Sequence, residues 1–110
     1  MKNKSLSAVT DNSLSQTRDD AVRVGVWGIG GHVRKNILGA IRLCPDVRLL
    51  GVHTRQDDIR REAAEAYGCK AWSMPEEMLS DPDLEAVFVA TPIGHHHVHG
   101  EAVLKAGKHL

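Results

Sequence analysis

The residues best suited to chemistry are Gly28-Ile29-Gly30-Gly31-His32, directly after the apolar run Val22–Trp27. Glycine here lets backbone N–H groups approach a pyrophosphate that a Cβ at Gly28 or Gly30 would hold off. Helical periodicity resuming at Val33 adds the positive end of a helix. The reading is a phosphate cradle for a dinucleotide. A tight strand-to-helix turn without a ligand is the alternative, because Val33 stands where a third glycine or an alanine would allow closest helix packing.

After a second apolar run, His53-Thr54-Arg55 occupies the place where an NAD-type site carries a carboxylate for the ribose 2′-hydroxyl. Thr54 brings no repulsion toward a 2′-phosphate and Arg55 offers it a planar fork, which favours NADP(H) over NAD(H). The alternative leaves Arg55 in solvent near Asp57 and Asp58. A third group is His95-His96-His97 with His99, where His95 and His99 have the i, i+4 spacing of a metal pair. The nearest carboxylate is Glu101, so the expectation is no resident metal but adventitious nickel or zinc affinity, with loosening of this helix start in mild acid.

The elements that must position these groups alternate strand and helix from Ala21 onward, the pattern of a parallel sheet with helices on both faces. Strands are expected over 22–27, 47–53, 71–72 and 85–90, with 108–110 opening a fifth. The first helix carries Val33, Ile37, Ala40 and Ile41 at i, i+4, i+7 and i+8 and ends near Cys44-Pro45. The second covers 57–67, buries Ile59, Ala63, Ala66 and Tyr67, and stops at Gly68. A short third helix follows Ser73, with Glu76 reaching back to the cap and Met74, Met78 and Leu79 in the core. The last runs over 96–106 to Gly107. Thr91-Pro92 ends the fourth strand, and ligands of open parallel sheets lie at that edge.

Composition narrows the function classes. With 110 residues and 42% hydrophobic content there is material for one modest domain. Basic and acidic residues both number 14, which gives no footprint for nucleic acid or an anionic membrane. No apolar run is long enough to span a bilayer, and the first residues show no secretory pattern. Cys44 and Cys69 read as reduced thiols of a cytoplasmic protein. Residues 1–20 read as a disordered lead-in, and 21–110 as a partial Rossmann domain.

Together these residues resemble the N-terminal half of the Gfo/Idh/MocA family, the glucose-fructose oxidoreductase and inositol dehydrogenase type of NAD(P)-dependent oxidoreductase. The family's G-x-G turn is matched by Gly28 and Gly30, and its Thr-Pro pair by Thr91-Pro92. Its histidine five residues after that threonine is matched by His96, and its A-G-K-H sequence by Ala106–His109. Ile93 departs from the polar residue, often Asn, that commonly follows Thr-Pro. The resemblance implies an α/β Rossmann-type doubly wound parallel sheet, incomplete at its C-terminal end. It also implies hydride transfer between nicotinamide and a sugar, cyclitol or related alcohol, with Thr91 and Pro92 beside the nicotinamide ribose and His96 near the nicotinamide in a positional role. The family's Glu-Lys-Pro lysine and its substrate domain would follow A-G-K-H.

The expectation for these 110 residues is therefore NADP or NAD binding without turnover, through Gly28, Ile29, Gly30, Gly31, His32, Thr54, Arg55, Thr91, Pro92 and His96. A polyol or sugar would be a partner where a C-terminal domain exists, and an uncovered sheet edge predicts self-association. The rivals are a non-catalytic dinucleotide-binding or interaction module, or a nonfunctional gene remnant. An S-adenosylmethionine methyltransferase would place an acid where Thr54 stands.

Overall fold

The computed structural model describes residues 19–31 and 33–110, so most of the expected lead-in over 1–20 lies outside the described residues. Four parallel strands form one sheet in the order β3-β2-β1-β4: β1 Val22–Trp27, β2 Val47–His53, β3 Lys70–Ala71 and β4 Ala86–Val89. His109 adds a single parallel bridge to Ala86, at the place expected for a fifth strand. Of the helices, α1 starts with a π-helical stretch, Val33–Ile37, and continues as α-helix over Leu38–Leu43. Next come α2 Asp57–Tyr67, α3 Pro75–Leu79 and α4 His96–Lys105, the last preceded by a 3₁₀ turn at Ile93–His95.

Strand alternation sends successive side chains to opposite faces, and a register shift between Val24 and Gly25 leaves Leu50 as an extra residue that turns away from Val52, so two cores result. Val26 and Val52 pack with Val33 and Leu38 of α1 and Ala63 of α2. On the other face Trp27, Leu50 and Val87 pack with Trp72, Met78 of α3 and Val103 of α4. Helices on both faces of a parallel sheet make the doubly wound α/β architecture that the alternating pattern implies.

Several local expectations need correction. The π stretch closes i to i+5, which moves the buried stripe of α1, so Leu38 beneath Val33 is fully buried while Ala40 is exposed. Ala66 of α2 is likewise exposed. β3 lies one residue earlier than expected, although the Trp72 N–H still donates to the Val52 carbonyl at 3.0 Å, and the Trp72 indole folds over the sheet where Gly25 and Gly51 sit opposite each other. A Cβ at Gly51 would stand 2.7 Å from that indole, so the glycine pair forms its seat. Pro75 at the first position of α3 makes Met74 the cap, and Glu77, not Glu76, reaches back to accept from the Ser73 N–H at 2.8 Å. Met74 itself is exposed. Gly68 ends α2 at φ +62°, as expected of a left-handed stop. Cys44 and Cys69 are free, and burial pushes the Cys69 thiol up to about 11.

Candidate functional site

The carboxyl ends of β1, β2 and β4 meet at Gly28. Its φ of +100° is a backbone state that favours glycine, and its Cβ would stand 2.8 Å from the Thr91 nitrogen and 2.9 Å from the Ala90 carbonyl. Its N–H donates to the His53 carbonyl at 2.7 Å. Gly28 therefore joins three strands, and its amide is already used. That corrects the expectation that this amide faces a ligand. The Ile29 side chain is buried in the α1/α2 core and anchors the turn. Gly30 and Gly31 are exposed, and a Cβ at either would meet nothing within 4 Å. The amides of Ile29, Gly30 and Gly31 donate to no other described residue, so an anion at the start of α1 would find them available. His32 lies outside the described residues.

A cavity of about 180 Å³ opens beside this turn, lined by residues from the ends of β1 and β2, the β4–α4 connection and α4. The sequence expectations place Thr54, Arg55, Thr91 and Pro92 on its wall, and all four are there. Thr54 is half-buried, and its carbonyl accepts from Arg60 at 2.7 Å. Arg60 also pairs with Asp57, one of the two carboxylates near Arg55 in the sequence. Arg55 makes no ion pair among the described residues.

His96 does not line this cavity. Its ring turns back so that Nε2 donates to the Thr91 carbonyl, a contact that orients the strand exit. The Thr91 side chain is held as well, with Oγ1 2.7 Å from His99 Nδ1. Two imidazoles of α4 thus grip one threonine.

Trp27 and His53 line the cavity although sequence reasoning assigned them no ligand role, and so do His95 and His99, which it weighed only as a metal pair. Trp27 stacks on His99 at 4.2 Å between ring centroids and meets His53 edge-on at 6.3 Å. His53 is buried, and its Nδ1–H donates to the Trp72 carbonyl at 2.9 Å. The signal was present in strand parity. Trp27 and His53 are register partners at the last positions of β1 and β2, so both face the same side at the ligand edge. His95 and His99 do share a helix face as their spacing implied, and their rings stack at 5.5 Å. Burial, then the neighbouring His95, His96 and His53, hold the His99 imidazole below its ordinary 6.5.

A family model for oxidoreductases with an NAD-binding Rossmann fold, GFO_IDH_MocA, matches residues 22–110. The chain belongs to the Gfo/Idh/MocA oxidoreductase family. As a member it carries the NAD(P)-binding Rossmann domain that its motifs imply, and the fold agrees. Among curated relatives, dTDP-3,4-didehydro-2,6-dideoxy-alpha-D-glucose 3-reductase of Streptomyces violaceoruber is 32% identical over 90 residues, 82% of this chain and 26% of the relative. The NADP(+)-dependent scyllo-inositol 2-dehydrogenase IolW of Bacillus subtilis is 30% identical, over 83% of this chain and 25% of the relative. The chain thus spans about a quarter of the length of such Gfo/Idh/MocA relatives. Among solved structures, KijD10, a 3-ketoreductase from Actinomadura kijaniata in complex with NADP and TDP-benzene, superimposes with a TM-score of 0.77 at 27% identity. That match covers 81% of this chain and 27% of KijD10. The WlbA dehydrogenase from Bordetella pertussis, in complex with NADH and UDP-GlcNAcA, gives 0.74 at 30% identity, over 81% of this chain and 27% of that one. Among the described residues no helix is long and apolar enough to cross a membrane.

Proposed function

We propose that the turn after β1 and the adjoining cavity bind NADP(H) in preference to NAD(H), as the cofactor end of a cytoplasmic oxidoreductase acting on a sugar, cyclitol or related alcohol. The observation that carries the preference is Arg55. It stands beside the uncharged Thr54 at the end of β2, on the cavity wall, with no carboxylate partner among the described residues. Amides of Ile29, Gly30 and Gly31, with His32 next to them, would hold the pyrophosphate. Thr91, Pro92 and His96 would border the nicotinamide ribose, His96 acting through the Thr91 carbonyl. When bound, the dinucleotide supplies a hydride donor or acceptor at nicotinamide C4. The roles proposed for these residues are binding and positioning.

Titration calorimetry with NADP⁺ and NAD⁺ tests the preference. A guanidinium fork on a 2′-phosphate is a charge-assisted contact of roughly 1.5–3 kcal/mol, so NADP⁺ should bind ten- to a hundredfold tighter. The Arg55→Ala variant should abolish most of that ratio and leave NAD⁺ affinity nearly unchanged. Equal affinities in the parent protein, or an unchanged ratio in the variant, overturn the reading.

Self-association is a further part of the proposal. Phe88 of β4, Val98 and Leu104 of α4, and Leu110 are exposed apolar residues, and their burial against another chain would be favourable. Sedimentation velocity should show dimers or larger species at micromolar concentration, and a single monomer boundary would reject this.

A further inference from the structure

The reading above leaves His99 without a task, although its surroundings are built around it. Its ring packs against Trp27 of β1 and His95, and its Nδ1 meets the Thr91 hydroxyl at 2.7 Å. A neutral imidazole meets that hydroxyl as acceptor or donor, whereas an imidazolium can only donate. Protonation of His99 therefore commits its Nδ1–H to the threonine oxygen and frees the Thr91 hydrogen for an acceptor in the cavity.

The groups facing His99 are all neutral or basic. His95 and His96 come from its own segment, His53 from β2, and Arg55 shares the cavity from the end of β2. The remaining wall is Trp27, Thr54, Pro75, Thr91 and Pro92, with no carboxylate. The Trp27 face and the Thr91 oxygen can receive a positive imidazole, but burial and the neighbouring histidines outweigh them and hold the His99 value below its ordinary one, so the unliganded protein keeps this ring neutral near pH 7. Because Arg55 and His99 line the same cavity of about 180 Å³, a phosphate held there by Arg55 would supply the missing negative charge.

We propose that His99 is a positioning residue that takes up a proton from solvent as a phosphate-bearing dinucleotide binds, which turns Thr91 into a donor toward the ligand and ties affinity to pH. The proposal rests on the NADP(H) reading. By linkage, ligand binding raises the His99 pKa by the same factor that protonation tightens binding. Affinity for NADP⁺ thus increases as pH falls from 8 toward 6. An opposite charge within a few ångströms typically moves a pKa by one unit or more, so the gain is about five- to tenfold.

The experiment is calorimetric titration of NADP⁺ at pH 8, 7 and 6, each in two buffers of different ionisation enthalpy, on the parent protein and on His99→Gln and His97→Gln. Glutamine keeps a neutral hydrogen-bonding group at position 99, while exposed His97 lies off the cavity. The parent and H97Q should take up a fraction of a proton on binding at pH 6 to 7 and gain five- to tenfold more affinity over the range than H99Q. Comparison with H99Q cancels the titration of the 2′-phosphate itself. The same slope and proton uptake in H99Q overturns the proposal while leaving NADP⁺ binding intact. Absence of binding at every pH overturns the nucleotide reading and this inference with it. Imidazole NMR on the parent protein decides the matter without a variant: saturating NADP⁺ should raise the His99 pKa by about one unit, and an unmoved value rejects the role.

Discussion

At the amino edge of the sheet Asp81 accepts from Lys70 at 2.8 Å, from the Trp72 indole at 3.2 Å and from the Asp83 N–H at 2.9 Å, while its carbonyl accepts from Lys108. At the carboxyl edge Arg55, His53, His95 and His99 share a cavity wall without any carboxylate. The first cluster uses its polar groups up among themselves. The Lys70 ammonium, with the Asp83 and Trp72 hydrogen bonds behind it, holds the Asp81 carboxyl below its ordinary 3.8, which is a contribution to stability. The second cluster keeps basic and neutral groups around a concavity where no acid answers them. Satisfied polar networks rigidify a fold, whereas groups left facing an open cavity stay available to a ligand.

The contrast can be broken most severely at Gly28. Gly28→Ala forces a Cβ against the Ala90–Thr91 backbone at a positive φ, so it should cost about 3 kcal/mol from backbone strain and overpacking together. Gly30→Ala on the same turn meets nothing and should leave stability within about 0.5 kcal/mol while weakening NADP⁺ binding. Urea unfolding of both variants checks the pair. Equal losses would mean that the turn is shaped by something other than the approach of β4.

A smaller effect is expected at the opposite edge. Asp81→Ala leaves the Trp72 N–H and the Asp83 N–H without their acceptor and should cost about 2 kcal/mol in the same assay, with NADP⁺ affinity unchanged. A change in affinity would show that the two edges are coupled. Acid separates the edges as well. Both Asp81 and His99 have folded-state values below their ordinary ones, so each stabilises above its unfolded pKa and loses that contribution as pH falls. The His99 share goes first, below about pH 6.5, and the Asp81 share only below about pH 4.

Most of the fold was legible because its signals are short-range. Strands 22–27 and 47–53 and helix 57–67 agree with the structure to the residue, since period-2 apolar runs and the stop at Gly68 depend on neighbours within a few positions. The outline of the candidate cavity was legible, because Thr54, Arg55, Thr91 and Pro92 stand at strand ends, where an open parallel sheet exposes its carboxyl edge. Two parts escaped. The π-helical start of α1 moved burial from Ala40 to Leu38, and apolar spacing carries no mark of that shift. His99 carried a metal-like spacing, yet its structural partners are Trp27 and Thr91, from other elements.

By itself, the sequence determined the alternation of strands and helices, the glycine turn at a strand end and the lack of an acid at Thr54, where the second strand ends. These follow from residue type and local periodicity. Only the tertiary structure decided which glycine serves which purpose. Gly28 is consumed by backbone contacts to β2 and β4, Gly25 and Gly51 seat Trp72, and Gly30 and Gly31 stay open. A Cβ clash depends on what another strand brings to the same point, and those strands lie far away in the chain. The Trp27–His99–Thr91 contact has the same origin, because strand register and helix placement set it jointly.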